Sequence, residues 1–369
     1  MSSTQSLYRP GLEGIIAGET AISSIAGGLL YRGYPVEELA TRANFEQVAY
    51  LLLHGEFPTA DELAAFNQRI AAAADLPERV WITLRNLPAT TNFMDILRST
   101  CSLTAHFDPE VADNTPGATL RKAERLLAQL ACAVGGWERI RRGKNPLPYR
   151  ADLGFAANVL MMLRGDTPTA DEARALDVSL ILYAEHEFNA STFTARVVAS
   201  TLADLHSAIT AAIGALKGPL HGGANEQVMA VLTEVASPER AESWIKAALA
   251  SKRRIMGFGH RVYKAGDPRA KYLKPLCARL ATQTGQESLE QMADTIERIV
   301  LAEKGLPPNL DWPSARLYHY LRLPIPVYTP LFVASRVTGW SAHVLEQQAH
   351  NRLIRPEARY IGPAERQLK

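Results

Sequence analysis

From Pro35 to about residue 349, apolar residues return at helical spacing almost without a break, a period that strands cannot use. The strand–helix alternation that builds a parallel sheet is missing, so a doubly wound fold is disfavoured and an all-α architecture is predicted. Only residues 11–33, Gly-rich with short apolar runs (Ile15, Ile16, Ile22, Ile25, Leu29, Leu30), leave room for short strands.

Punctuation divides the helical stretch. Phe45 to Leu53 reads as an apolar helix stopped at Gly55, and Thr59 with Glu62 makes a capping box for the next. The arrangement recurs: LLLHGEFPTADE at 51–62 and MMLRGDTPTADE at 161–172 each join a Gly stop to a capped start. This predicts two uses of one helix–turn–helix solution, too short to argue a solenoid. Leu120, Ala123, Leu126, Leu127, Leu130, Ala131, Val134, Trp137 and Ile140 form a core stripe. Helices are predicted over 152–163, over 169–183 (buried on all sides along ALDVSLILYA) and over 191–216 as one long element. More follow over 224–235, 239–251, 268–283 and 288–303, then, after the break GLPPNLDWP, over 313–322 and 330–349. The tail from Pro356 is polar.

With 369 residues the chain can hold two domains. A net charge of +2 without long basic runs argues against nucleic acid as a main partner, while an anionic small molecule needs only local positive charge. Three cysteines, Cys101, Cys132 and Cys277, lie far apart in no CxxC pair, so neither a disulfide framework nor a structural zinc site is expected. The opening MSSTQSLYRPGLEG shows no secretory signal, and no apolar run reaches the length of a membrane span. The expected setting is the cytoplasm.

GPLHGGAN at 218–225 sets His221 in a turn whose backbone can approach a ligand closely, just ahead of a helix whose dipole disfavours imidazolium. Four further stretches hold polar residues among Gly, Pro or Asn: AEHEFNAST (His186, Asn189, Ser191), IMGFGHRVYKAGDPRA (His260, Arg269), PPNLDW (Asp311), and ASRVTGW with LIRP (Arg336, Arg355). Each alone has a plain structural explanation, as a core histidine, a turn aspartate or a surface ion pair. Together they are a kit for carbon–carbon bond chemistry on a multi-carboxylate substrate. Arginine forks hold carboxylates, an aspartate can take a proton beside a carbonyl, and imidazoles can stabilise an enolate and polarise an acceptor ketone. Rival chemistries lack their marks. There is no HExxH and no GxSxG, the GFG before His260 lacks dinucleotide spacing, and His343 and His350, seven apart on one helical face, have Gln347 and Gln348 as poor companions for a metal, so a metal-dependent hydrolase is a distant alternative.

GPLHGGAN, GFGHRVYKAGDPR, PNLDW and IRP, in this order, resemble the citrate synthase family, which includes 2-methylcitrate synthases. The likeness extends from GLEGIIAGETAIS and YRGYPVEELA through EHEFNASTFTAR to TGWSAHVLEQ. It implies an all-α fold in which a small domain (220–318) closes over a large one (1–219 and 319–369). It implies an acyltransferase of the Claisen type, condensing acetyl-CoA with oxaloacetate to citrate without cofactor or metal. By resemblance His221 holds the thioester carbonyl, Asp311 removes the methyl proton, and His260 polarises the oxaloacetate ketone. Arg269, Arg336 and Arg355 are similar to the carboxylate clamp, with Arg355 contributed by the partner in a homodimer. His186 and Asn189 resemble further oxaloacetate contacts, Ser191 the hydroxyl orienting His221, and Arg254, Ile255, Met256, Gly257 and Phe258 the strip that cradles coenzyme A, with Lys264 nearby.

Departures bear on details. Asn92-Phe93 precedes Met94 where His-Pro is common, and His350 stands where many members have Asp. The Trp after Asp311 and EHEFNAST lean toward 2-methylcitrate synthases, the opening and GPLHGGANEQVM toward short bacterial citrate synthases. Propionyl-CoA, alone or beside acetyl-CoA, is therefore the alternative substrate. A catalytically silent homologue acting as a binding partner is the alternative of another class.

Overall fold

The computed structural model describes residues 8–260 and 262–368. Its helices are α1 (Val36–Arg42), α2 (Phe45–His54), α3 (Ala60–Ala73), α4 (Glu78–Arg85), α5 (Phe93–Thr104), α6 (Pro116–Ile140), α7 (Phe155–Arg164) and α8 (Ala170–Tyr183). They continue as α9 (Ala190–Ser200), α10 (Leu205–Leu216), α11 (Ala224–Val235), α12 (Pro238–Ala250), α13 (Ala270–Thr284), α14 (Glu287–Lys304), α15 (Asp311–Tyr320) and α16 (Tyr328–Ala349). Strands among the described residues are three two-residue pieces, β1 (Ser23–Ser24), β2 (Leu30–Tyr31) and β3 (Tyr34–Pro35), paired antiparallel in that order. The all-α expectation holds; β1 and β2 fall within the 11–33 stretch left open for strands, and β3 lies just beyond it.

Local chemistry explains the ends. Thr59 accepts from the Glu62 N–H and Thr169 from the Glu172 N–H, and in both boxes the glutamate reaches back to the cap N–H. The preceding helices, α2 and α7, both stop at a left-handed glycine, Gly55 at φ 94° and Gly165 at φ 93°, which the missing Cβ permits. One solution is thus used twice. The helix predicted over 191–216 is broken into α9 and α10. Leu202 turns to φ 65°, and the Asp204 carboxylate accepts from the Ser207 N–H to start α10. An aspartate able to cap competes with the continuous helix.

α16 is enclosed along nearly its whole length and packs against α6, α9, α2, α8 and α10. α8 is likewise buried from Ala175 to Tyr183. Each fully buried leucine, valine or phenylalanine on such helices contributes ~1.5–3 kcal/mol. Helices α11 to α15 pack largely on one another and meet the remainder through α8 and α16. Tyr183 at the C-terminus of α8 and Arg336 in the middle of α16 lie at that meeting. The three cysteines are free and buried, and among the described residues no helix is long and apolar enough to cross a membrane.

Candidate active site

The C-terminal end of α8 is the anchor. A helix finishes with carbonyls that lack intrahelical partners and with the negative end of its dipole, so it attracts donors and cations. Here Arg336 Nε donates to the Tyr183 carbonyl (2.6 Å) and Arg269 Nη1 approaches that of Leu182 (3.5 Å). The Tyr31 hydroxyl lies against the carbonyls of Ile181 (3.1 Å) and Glu185 (2.9 Å). Two guanidiniums from distant parts of the chain thereby meet beside one cavity of about 960 Å³, lined also by His186, His221, His260 and Asp311.

The two arginines are held differently. Arg269 is buried, and although burial works against its charge, Asp267 raises its pKa above the usual range through Nε (2.9 Å) and Nη2 (2.8 Å) contacts. Asp267 also accepts the Leu310 N–H (3.1 Å), which ties the arginine loop to the turn before Asp311. For Arg336, burial lowers the pKa to about 10, with Glu185 opposing, so it stays a cation at neutral pH. Its Nη1 is buried without a protein partner, a donor set aside for an anion.

α16 reaches the end of α8 closely because position 339 has no side chain. A Cβ on Gly339 would run into the Glu185 carboxylate and the Ala184 carbonyl. Beside that contact, His343 Nε2–H donates to Glu185 Oε1 (2.9 Å) while Arg196 donates to His343 Nδ1 (2.8 Å).

Backbone donors fix how the imidazoles face the cavity. The N–H groups of Val262 (3.1 Å) and Tyr263 (3.2 Å) point at His260 Nδ1, which must accept, leaving Nε2–H as a free donor. The Ser191 N–H points at His221 Nε2 (3.3 Å), with the Ser191 hydroxyl 2.8 Å from the same atom, leaving Nδ1–H free. Trp340 Nε1–H donates to that hydroxyl (3.1 Å) and holds it in place. All three rings are neutral at neutral pH. Burial and then Arg336 lower His221 to about 4; burial and then Arg269 lower His260 and His186. His221 sits three residues ahead of α11, as the sequence predicts, and the causes found for its lowered pKa are burial first and then the charge of Arg336.

Asp311 opens α15, and its Oδ1 accepts from the Tyr183 hydroxyl (2.7 Å). Burial raises its pKa to about 6, against the Tyr183 hydrogen bond and the charge of Arg269. A carboxylate raised this far is a stronger base than a solvated one and is still ionised at pH 7.

Of the residues singled out in the sequence, His186, Asn189, His221, His260, Arg269, Asp311 and Arg336 line this cavity, with Ser191 behind His221. Asn189, expected as a substrate contact, spends its side chain on capping α9: Oδ1 accepts from the Thr192 N–H (3.1 Å), and Nδ2 donates to Thr192 Oγ1 (2.9 Å). Arg355 is exposed on the extended tail and does not line the cavity of its own chain. Nor do Arg254, Ile255, Met256, Gly257 and Phe258. Ile255 is buried, Phe258 packs on Trp312 (4.5 Å between ring centroids), and the Gly257 carbonyl accepts from the Asn309 N–H. That strip braces the Asp311 turn from behind, and Arg254 and Lys264 are exposed.

Sequence reading missed Tyr183, Phe332, Tyr263, Asp267 and the segment 11–18, all on the cavity wall or touching its histidines. Tyr183 and Phe332 look like core aromatics on apolar helices. Asp267 alone carried a signal, as the partner two residues before Arg269 in GDPR. No group of three or more His, Cys, Asp or Glu suited to a metal ion occurs among the described residues.

Comparison with known proteins agrees with this geometry. A family model described as citrate synthase, C-terminal domain, matches residues 11–357. Citrate synthase 2 of Bacillus subtilis is 48% identical over 96% of this chain and 95% of its own length. The 2-methylcitrate synthase of Shewanella oneidensis is 42% identical over 100% and 98%. The crystal structure of citrate synthase from Pyrobaculum aerophilum superposes with a TM-score of 0.90 at 39% identity, over 97% of this chain and 93% of that one. The citrate synthase of Thermoplasma acidophilum, in ternary complex with carboxymethyl coenzyme A and oxaloacetate, gives 0.90 at 34% identity, over 97% of both.

Proposed function

The chain belongs to the citrate synthase family, and on that premise we propose how its residues condense acetyl-CoA with oxaloacetate. Asp311 takes a proton from the thioester methyl group. A thioester methyl is a very weak acid, so the enolate must be stabilised as it forms, and the His221 Nδ1–H is the donor for its oxygen. The His260 Nε2–H polarises the oxaloacetate ketone and supplies the proton as the new bond closes. Arg269 and Arg336 hold the oxaloacetate carboxylates, with the unpartnered Nη1 of Arg336 as the vacant donor. His186 is a further contact. Arg355 completes the clamp from a second copy in a homodimer, and coenzyme A lies against the 254–258 edge. Binding of the dianion draws 220–318 over the rest, so the base meets acetyl-CoA only when an acceptor is present. In class terms this is an acyltransferase working in the cytoplasm with no cofactor.

The observation that carries this reading is two neutral imidazoles, each with its cavity-facing N–H fixed by backbone donors, around one carboxylate raised to about 6. Water then hydrolyses the thioester of the citryl-CoA so formed, giving citrate, and the coenzyme A thiol it sets free, followed with Ellman's reagent, tests the reading. Release that depends on oxaloacetate supports it; no release with any acyl-CoA favours the silent binding homologue. Propionyl-CoA is the second reading, because curated relatives carry both names. One methyl group is worth only ~1–3 kcal/mol of discrimination, so kcat/KM for both thioesters on one preparation ranks them.

A further inference from the structure

We propose that Tyr183 is a positioning residue that couples the base to the carboxylate clamp, its hydroxyl holding Asp311 and its carbonyl holding Arg336. The inference rests on the reading of Asp311 as base given above.

Tyr183 is the last residue of α8 and is buried, with its ring 4.6 Å from that of Phe332 between centroids. Phe332 in turn lies 6.2 Å from the His221 ring. Phe332 therefore stands between the tyrosine ring and the His221 ring, and the buried tyrosine is packed against it. Its hydroxyl lies 2.7 Å from Asp311 Oδ1 and 2.8 Å from Ser314 Oγ. A phenol has one proton, and an ionised carboxylate can only accept. The proton therefore goes to Asp311, and Ser314 donates to the phenolic oxygen. Ser314 has only a longer alternative, the Asp311 carbonyl at 3.3 Å.

Two consequences follow. Oδ1 is occupied, so the methyl proton is taken by Oδ2; the C–H electron pair passes into the enolate held at His221. The carboxylate plane is also set relative to Arg336, because the same residue accepts the Arg336 Nε–H through its main chain at 2.6 Å. One buried residue thus sets the distance between the acceptor's clamp and the donor's base. The charged and titratable groups around Asp311 are Tyr183 from α8, Arg269 and Asp267 from the loop before α13, and Tyr318 on its own helix. His186, His221, His260 and Arg336 line the same cavity. Among them Tyr183 is the one that donates a hydrogen bond to the carboxylate.

The test is the pH dependence of kcat for Tyr183→Phe beside wild type, with acetyl-CoA and saturating oxaloacetate. The main-chain carbonyl survives, so KM for oxaloacetate should stay within about 2-fold, while kcat falls ~10–100-fold. The acid limb of the profile should move to higher pH, because the carboxylate has lost the donor that favours its ionised form. A kcat within about 2-fold of wild type overturns the inference. So does a lower kcat with an unmoved acid limb, the behaviour of a tyrosine that only fills space. Should Tyr183→Phe not fold, Ser314→Ala decides: weakening the phenol as a donor should move the acid limb the same way by less, and an unmoved limb overturns the inference. Wild type separates the two readings, since no oxaloacetate-dependent release there would sink the assignment of Asp311 itself.

Discussion

At the scale of the residue, the site holds its charges at a cost. Asp311 is ionised at neutral pH although burial favours its neutral form. With a folded pKa near 6 above an unfolded value near 3.8, the folded state binds the extra proton. The penalty is therefore full above pH 6, shrinks as pH falls through that window, and is gone below the unfolded value. Asp311→Asn should abolish condensation, lowering kcat by at least ~10³-fold, while calorimetry finds oxaloacetate binding intact. The same variant should be more stable than wild type by ~3 kcal/mol at pH 8, with the gain fading toward pH 4 in urea titrations. A destabilised variant would contradict the charge assignment. Arg269 behaves in the opposite way. Arg269→Leu leaves Asp267 buried without its counter-charge and should cost ~3–5 kcal/mol of stability as well as weakening oxaloacetate binding. Unchanged affinity in that variant would count against its place in the clamp.

At the scale of the element, the site exists because α16 crosses the end of α8 at contact distance. Gly339 permits that approach, and Arg336, one turn earlier on α16, then reaches the Tyr183 carbonyl. Gly339→Ala inserts one methyl group into the Glu185 carboxylate and Ala184 carbonyl and should cost ~2–3 kcal/mol, read as a lower urea midpoint. Because relief requires α16 to lift from α8, oxaloacetate KM should rise as well; a stable variant with native KM would show that the crossing is loose. The capped starts of α3 and α8 and the glycine stops of α2 and α7 were legible in the sequence, because capping is chemistry between residues three or four apart. The break at Leu202 was not, since a run rich in alanine hides a turn that a single aspartate imposes.

At the scale of the whole molecule, one protomer leaves the proposed clamp unfinished. Arg355 lies exposed on an extended tail, outside the cavity of its own chain. If a second copy supplies it, inactive Arg355→Leu and inactive Asp311→Asn should complement when mixed and reassorted. Half of the dimers would be mixed, and each would regain one intact site with the wild-type aspartate from one subunit and the wild-type arginine from the other. Recovery to roughly a quarter of wild-type activity is expected for a two-fold dimer. No recovery, with exchange verified by mass, would place Arg355 elsewhere.

The sequence by itself determined the helical class, most helix boundaries and the residue types of the cavity wall, because periodicity, caps and the turns around His221, His260 and Asp311 are properties of neighbouring residues. It could not say which atoms face the ligand. That the 254–258 strip braces a turn and that Tyr183 and Asp267 belong to the site depend on contacts between residues up to 153 apart, as between Arg336 and the carbonyl of Tyr183. Only the tertiary structure decided these, because burial and long-range hydrogen bonds set tautomer, charge and direction, and neither is written in local sequence.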